Sequence, residues 1–230
     1  NFIHYIRGVL PPFFLLMASI SYGASTELDA VNSILMSVGE SPVNNITNVK
    51  SPEVVIAHKT LQQVCREVLA EGWVFNTETE YPIDLDANKN CIVPDNTLQI
   101  DTNDYKHHGD FHVVQRKHNG INKLYNIYKH TFEFENLNED KLYCDIIWMY
   151  EFENIPQVFR DYITLRATRV ASNRMVNNPQ SAELIGVDEQ LARAKAVEYD
   201  TSQSDLSIFN NERGRSNPNS VYRPYQVLQR

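Results

Sequence analysis

The spacing of apolar residues changes twice along this 230-residue chain, from a helical period to a strand-like one and back. Helical spacing begins over residues 25–38 and predicts a first helix there. Thr26 and Asp29 have the spacing of a capping box at its start, and Gly39 suits the left-handed position after its end. The apolar positions of this helix are Leu28, Val31, Leu35 and Val38.

A second and longer helix is predicted to begin at Ser51 and to end at Gly72. Ser51 is a suitable N-cap, and Pro52 suits the first helical position, where its missing N–H costs nothing. The apolar residues recur at three- and four-residue steps, at Val54, Ala57, Leu61, Val64 and Val68. A helix from 51 to 72 would be a rod of about 30 Å.

Beyond Gly72 the apolar runs are short, β-prone and separated by Asp, Asn, Pro and Gly, which predicts a small antiparallel sheet with long loops. Asn119 and Gly120, between two such runs, are the strongest hairpin signal in the chain. The predicted strands cover residues 73–75, 91–93, 97–100, 111–116, 124–128, 131–134 and 143–149.

Helical spacing returns at Pro156 and continues to about Tyr199. The first of the two helices predicted here has an apolar face of Val158, Phe159, Tyr162, Ile163, Ala167 and Val170. The second, over 181–199, has the face Leu184, Val187, Leu191 and Ala194. That last face is thin and rich in alanine, a composition compatible with close packing or with partial exposure.

These elements predict an α+β fold, in which an antiparallel bundle of about four helices carries an inserted small antiparallel β-sheet domain and an extended C-terminal arm. Helices from both ends of the sequence must then pack together. The predicted units are an N-terminal helical segment of the bundle at 17–72, the β-rich domain at 73–152, a C-terminal helical segment of the bundle at 153–200 and the arm at 201–230.

Residues 1–16 fit none of these units, and two interpretations are open. One arginine precedes a short apolar run that Pro11 and Pro12 interrupt, so the segment cannot span a membrane. It is either a degenerate signal peptide or upstream sequence ahead of a natural start at Met17. We favour the second, because the chain does not begin with Met and no small-x-small cleavage site follows.

The net charge of the chain argues against a protein that binds DNA over its whole surface. The formal net charge is −8, whereas proteins that hold DNA by its phosphates usually carry a clustered basic excess. The acidic balance favours DNA sliding past. A local basic patch remains compatible with this figure, because net charge averages over the whole surface.

The thiols and imidazoles do not form a metal signature. The three cysteines are far apart with no CxxC pair, which favours free buried thiols; they are Cys65, Cys91 and Cys144. Four histidines lie close together, at His107, His108, His112 and His118. Their spacing matches no zinc motif, and neighbours on a strand point apart, so a solvated loop and hairpin is favoured over a metal site.

Catalytic signatures are likewise missing, and no catalytic, cofactor-binding or metal-binding residue is predicted. The sequence has no GxSxG elbow and no phosphate loop of the GxxxxGK[ST] or GxGxxG type. A glycosidase would need two converging carboxylates, one of them with a raised pKa, which spacing alone cannot show. The carboxylates in question are Asp84, Asp86, Glu133, Glu135, Glu151 and Glu153.

The C-terminal arm mixes cations with tyrosines, and two interpretations stay open. It is either a soluble terminus or an arm that docks on an acidic partner surface. The candidate docking residues are Arg213, Arg215, Tyr222, Arg223 and Tyr225.

The order of the segments resembles a known family. TELDAVNSILMSVGESPV, EVLAEGWVFNTE and IVPDNTLQID are similar to three signatures of the tail tubular protein A family of short-tailed phages, the podoviruses. NKLYNIYKHTFEF and FENIPQVFRDYITLRATRVASNRMVNNP extend the likeness over residues 18–200 in consistent order. Residues 1–16 and the arm have no counterpart.

This resemblance implies a head-to-tail adaptor, or gatekeeper: a structural virion protein of the short tail, assembled in the host bacterial cytoplasm. Such proteins form a ring of twelve copies between the portal protein and the tail nozzle (tubular B) protein. DNA passes through the lumen during ejection without sequence-specific binding, and no membrane is involved.

Two alternatives and two finer assignments accompany the implied adaptor. The alternatives are an envelope-polysaccharide hydrolase, suggested for some members, and a secreted binding module, which would require a signal peptide. No residue of this chain supports the hydrolase. We expect the helical bundle and the arm after Asp200 to face the portal, and the β segment, with the hairpin at Asn119 and Gly120, to face the nozzle.

Overall fold

A computed structural model describes residues 25–47, 51–107, 111–135, 137, 141–176 and 179–204. Residues 1–16 and most of the arm lie outside these ranges. The elements are α1 Glu27–Ser37, α2 Pro52–Leu69, β1 Thr77–Asp84, β2 Thr97–Thr102, α3 Asp104–His107, β3 Val113–His118, β4 Ile121–Asn126, β5 Lys141–Trp148, α4 Gln157–Met175 and α5 Pro179–Gln203. With four long helices and two small antiparallel sheets among the described residues, the predicted α+β class is confirmed.

The first helix begins as its sequence predicts. The Thr26 hydroxyl accepts a hydrogen bond from the Asp29 backbone N–H at 3.2 Å, and the Asp29 carboxylate accepts one from the Thr26 N–H at 2.9 Å. Hydrogen bonds from Thr26 lower the pKa of Asp29. A carboxyl with a lowered pKa stabilises the fold above its ordinary pKa, and this contribution is lost as the pH falls. Gly39 follows the helix with a φ of +84°.

The second helix confirms its predicted stripe but not its predicted cap. Pro52 stands in the first turn, and all five predicted apolar positions are buried. The Ser51 hydroxyl, however, does not cap a backbone N–H. It donates instead to the Glu53 carboxylate at 2.6 Å, so Ser51 occupies the predicted N-cap position without making a capping hydrogen bond.

The larger sheet is built around β5, which pairs antiparallel with β1 on one side and β2 on the other. Every second residue of β5 is buried, and the buried set is Leu142, Cys144, Ile146 and Trp148. No strand is predicted at β1, because its sequence TETEYPID is mostly polar and contains Pro82. An edge strand tolerates both features, since one side of β1 pairs with none of the described strands and, of its eight residues, only Ile83 is buried.

Three predicted strands are wrong. Residues 73–75 fall in a 3₁₀ turn at Val74–Asn76, because the Asn76 side chain accepts a hydrogen bond from the Trp73 N–H and folds the chain back. Residues 91–93 and 131–134 make isolated bridges only, one of which joins Ile92 to Lys123. These short runs are too brief to form a continuous ladder.

The smaller sheet is the predicted hairpin of β3 and β4. Its turn residues Asn119 and Gly120 have φ values of +50° and +82°, the left-handed pair that a two-residue turn requires. His118 pairs with Ile121 across the turn, and the register continues to Val113 opposite Asn126. This prediction is confirmed.

The helices share one hydrophobic cluster and the sheets another, with Tyr150 packed against both. Helix α4 is central to the first cluster, because it contacts α1, α2 and α5. Its fully buried side chains include Phe159, Tyr162 and Ile163.

A buried asparagine joins the helices to the larger sheet. The Asn76 side chain accepts from the Trp73 N–H at 2.8 Å and donates to the carbonyls of Leu69 at 2.9 Å and Trp148 at 3.0 Å. It therefore links the end of α2, the 3₁₀ turn and the end of β5 through one side chain without exposed surface.

Gly72 lies at the same junction, and we expect Gly72→Ala to lower the free energy of unfolding by about 2 kcal/mol. Its φ is +75°, and an added Cβ would lie 2.8 Å from Cδ1 of Ile147. Urea denaturation measures the loss. Gly39→Ala is the matched control, because Gly39 has a similar φ and no described atom within 4 Å of the added Cβ. This variant should therefore lose only about 1 kcal/mol of unfolding free energy, the cost of placing alanine in a left-handed backbone conformation. Equal losses in both variants would contradict the steric argument.

Candidate assembly surfaces

The hairpin presents a basic surface on an acidic protein. Residues 111–132, the basic hairpin, contain no Asp or Glu. Their cations are Arg116, Lys117, Lys123 and Lys129, and their histidines are His112, His118 and His130. Three of these cations, all but Lys123, are exposed. The net charge of the whole chain therefore conceals a basic patch. This patch lies on the hairpin that is predicted from Asn119 and Gly120.

Aromatic rings hold this surface in place at several points. The Arg116 guanidinium lies 3.9 Å from the centroid of the Tyr125 ring on the facing strand, a cation–π contact. Tyr125 in turn packs edge-on against Phe132 at 4.9 Å, and His118 lies 4.8 Å from the same Phe132. The Lys123 ammonium is turned to the Asp86 carboxylate at 3.8 Å, so this cation is satisfied within the protein.

A second surface lies on α5, for which the sequence left close packing and partial exposure of the apolar face open. The residues of that face are exposed, at 72% for Leu184, 55% for Val187 and 59% for Leu191, and Ala194 is exposed as well. Ala192 and Ala196 are buried in their place. Small side chains allow α5 to lie close against α4, which leaves the larger apolar residues outside; we call Leu184, Val187 and Leu191 the α5 stripe.

Polar contacts fix this orientation of α5. Arg193 donates to the Glu71 carboxylate at 2.9 Å and to the Tyr162 hydroxyl at 2.7 Å. Arg166 of α4 reaches the same two groups, at 3.2 Å and 3.1 Å. A bidentate pair between Arg169 and Glu189 adds a further link between α4 and α5. Because apolar spacing does not report such contacts, the sequence pattern does not decide whether this face is packed or exposed.

Beside the stripe lies a groove between α1, α4 and α5, with a volume of about 1000 Å³. Its apolar lining is Ala30, Val158, Leu165, Leu191, Ala192 and Tyr199. Acidic residues rim it, at Asp29, Asp161, Asp188 and Glu198, together with Lys195. Leu191 belongs to both stripe and groove, so the two form one continuous surface.

Among the candidate chemical groups, His107 and Asp86 make structural hydrogen bonds. His107 is buried, and its Nε2 accepts a hydrogen bond from the Tyr143 N–H at 2.9 Å; His108 lies outside the described residues. Within the described ranges no three His, Cys, Asp or Glu side chains are grouped so as to hold a metal ion. Of the six carboxylates considered above, five are exposed, and Asp86 accepts hydrogen bonds from Asn90 and Asn88 that lower its pKa.

The three cysteines are free and buried, as expected. Burial raises the pKa of Cys65 to about 12, and a hydrogen bond with Cys91, together with burial, raises the pKa of Cys144. Since the thiolate is the reactive form, these raised pKa values disfavour reactivity of Cys65 and Cys144 at neutral pH.

The predicted docking residues of the arm, Arg213, Arg215, Tyr222, Arg223 and Tyr225, lie outside the described residues. No helix that the structure describes is both long and apolar enough to cross a membrane.

A helical body with an exposed apolar stripe, joined to a sheet with a basic hairpin, is the arrangement of a protein that works by contact with other macromolecules. A model of the tail tubular protein family matches residues 28–206. The chain belongs to that family, and it is a structural protein of the phage tail. The resemblance drawn from the sequence is thereby confirmed. Comparison with curated proteins gives no match.

Proposed function

We propose that this protein is the subunit of an adaptor ring that joins the portal to the tail nozzle and forms part of the DNA channel. The observation that carries the proposal is the α5 stripe, which leaves three large apolar side chains uncovered on a member of a tail tubular family. Contiguous exposed apolar surface of this kind marks interaction sites.

The partner for the stripe and groove is a second copy of the same chain. A tube wall made of one protein requires contacts between copies, and unlike faces that meet head to tail close into a ring when the rotation permits. The stripe and groove are one such face, because Leu191 connects them and the acidic rim surrounds an apolar floor. By resemblance the ring has twelve copies.

The remaining surfaces go to the neighbouring rings. We assign the arm at 201–230 to the portal, since its arginines and tyrosines suit an acidic docking surface, and the β-rich segment at 73–152 to the nozzle. The helical segments at 17–72 and 153–200 then form the ring itself. In this arrangement the turn at Asn119 and Gly120 is the end of the molecule nearest the nozzle.

Mixing the purified protein with its portal and measuring the mass of the complex by size exclusion with light scattering tests this function. We expect a ring of copies on each portal. Deletion of residues 205–230 leaves α5 complete and is expected to abolish portal binding without changing the melting temperature. A protein that stays monomeric beside the portal would contradict the adaptor role and favour the binding module.

A narrower variant separates charge from length in the arm. The triple substitution keeps the chain length and removes three cations; it replaces Arg213, Arg215 and Arg223 by Gln. We expect portal binding to weaken at least tenfold in this variant and to become less sensitive to salt. Portal binding unchanged in both arm variants would refute the assignment of the arm.

A further inference from the structure

Charge is distributed very unevenly in this protein. The basic hairpin carries four Lys and Arg and no acidic residue, which leaves a net charge of −12 on the rest of the chain. Such a local patch is what distinguishes a surface that binds a polyanion from an acidic protein that merely repels one.

Three of the four cations in this patch have no acidic partner among the described residues. Two of these three lie over aromatic rings, Arg116 over Tyr125 and Lys129 over Phe111, the latter at 5.9 Å from the ring centroid. Lys123 pairs with Asp86, but among the described residues no carboxylate lies within 4.0 Å of the charged groups of Arg116, Lys117 or Lys129. The Tyr125 ring restricts the Arg116 guanidinium, so binding through it costs less side-chain entropy. These three cations extend from the tip of the hairpin to its base. Arg116 and Lys117 are neighbours on β3 and project to opposite faces, so the positive charge lies on both faces of the ribbon.

We propose that the basic hairpin binds the phosphate backbone of duplex DNA without preference for base sequence. In register, Lys117 lies near the turn and Lys129 just beyond the base of β4, a separation of about 14 Å along the ribbon. Duplex DNA carries one charge per about 1.7 Å of its axis, so cations spread over this length meet several phosphates. A two-stranded ribbon also has the width that the major groove admits.

This site rests on the proposed channel function, and it changes one assignment made there: the basic hairpin faces the DNA in the channel, and the nozzle contact falls on the rest of the β-rich segment. The hairpin would be the place where DNA touches a protein whose remaining surface repels it. Three phosphate contacts are few, and sequence-independent binding of this size is weak at physiological salt. A weak contact guides DNA through a channel without holding it.

The test uses the full-length protein and a fluorescent 30-base-pair duplex, with anisotropy measured from 50 to 200 mM salt. Three free cations predict a slope of about −2.7 in a plot of log affinity against log salt concentration. The variant R116Q/K117Q is expected to bind at least tenfold more weakly at 50 mM salt, with a slope near −0.9. Two duplexes of unrelated sequence should bind the wild type equally.

The matched control is K59Q/R66Q, which removes the same charges from exposed positions on α2 and should bind like the wild type. A second variant, K117Q/K129Q, leaves Arg116 on the Tyr125 ring and should show the same reduced slope. Melting temperatures verify that each variant is folded, and mass measurements with the portal verify ring formation independently of DNA binding.

No binding by the folded wild type at 50 mM salt would overturn the proposal, as would equal binding by the hairpin and α2 variants. Loss of nozzle binding with DNA binding intact in R116Q/K117Q would overturn it in favour of an acidic protein surface. If rings fail to form on the portal while the hairpin variants still lose DNA binding, the adaptor role is wrong and the DNA site stands.

Discussion

Replacement of Asn76 by alanine is expected to lower the free energy of unfolding by about 4 kcal/mol. The side chain is fully buried and makes three hydrogen bonds, to the Trp73 N–H and to the carbonyls of Leu69 and Trp148. Alanine leaves all three backbone groups without their partner, and each buried unsatisfied group costs about 1–3 kcal/mol. This loss is a large share of the stability of a typical domain.

Urea denaturation followed by tryptophan fluorescence suits this variant, because the two tryptophans of the chain, Trp73 and Trp148, both contact Asn76 through their backbones. Asn88→Ala is the control, since Asn88 is exposed and the substitution should change stability by less than about 0.5 kcal/mol. A loss of unfolding free energy below about 1 kcal/mol for Asn76→Ala would show that other contacts hold the helices to the larger sheet.

Leu191→Glu is expected to prevent ring assembly and to leave the subunit folded. Leu191 is 59% exposed, so a carboxylate there is solvated in the free subunit and costs little. In the proposed contact between copies the same carboxylate would be buried beside Asp188 and Glu198, which also line the groove. An unpaired buried charge costs about 3–5 kcal/mol, which weakens each contact by more than a hundredfold.

The measurement is the mass of the complex formed with the portal. Met36→Glu is a matched control, because Met36 of α1 is 58% exposed and does not line the groove. We expect rings with Met36→Glu and none with Leu191→Glu. Normal rings with both variants would remove the α5 stripe from the interface between copies.

The features that the sequence predicts well are those set by neighbours along the chain. The capping box at Thr26 and Asp29 and the turn at Asn119 and Gly120 depend on a few adjacent residues, and both are confirmed. The buried stripe of α2 is confirmed as well, because its period of apolar residues leaves one possible inner face.

The features that the sequence misses depend on distant partners. β1 is a strand because β5 pairs with it, although its own residues are mostly polar. Helix α5 turns Ala192 and Ala196 inward because Arg193 reaches Glu71 and the alanines fit closely on α4, neither of which the apolar period records. The basic hairpin is visible as a run without acidic residues, but the net charge of the whole chain conceals it.

The end of α5 has a mechanical consequence for the whole subunit. The Asp200 carboxylate accepts a hydrogen bond from the Val74 N–H at 2.7 Å, and Tyr199 packs against the ring of Phe159. The last turns of α5 are therefore attached to the residues that connect α2 to the sheet. A force applied at this end of α5 would reach the helices and the sheet through the same junction and displace them together.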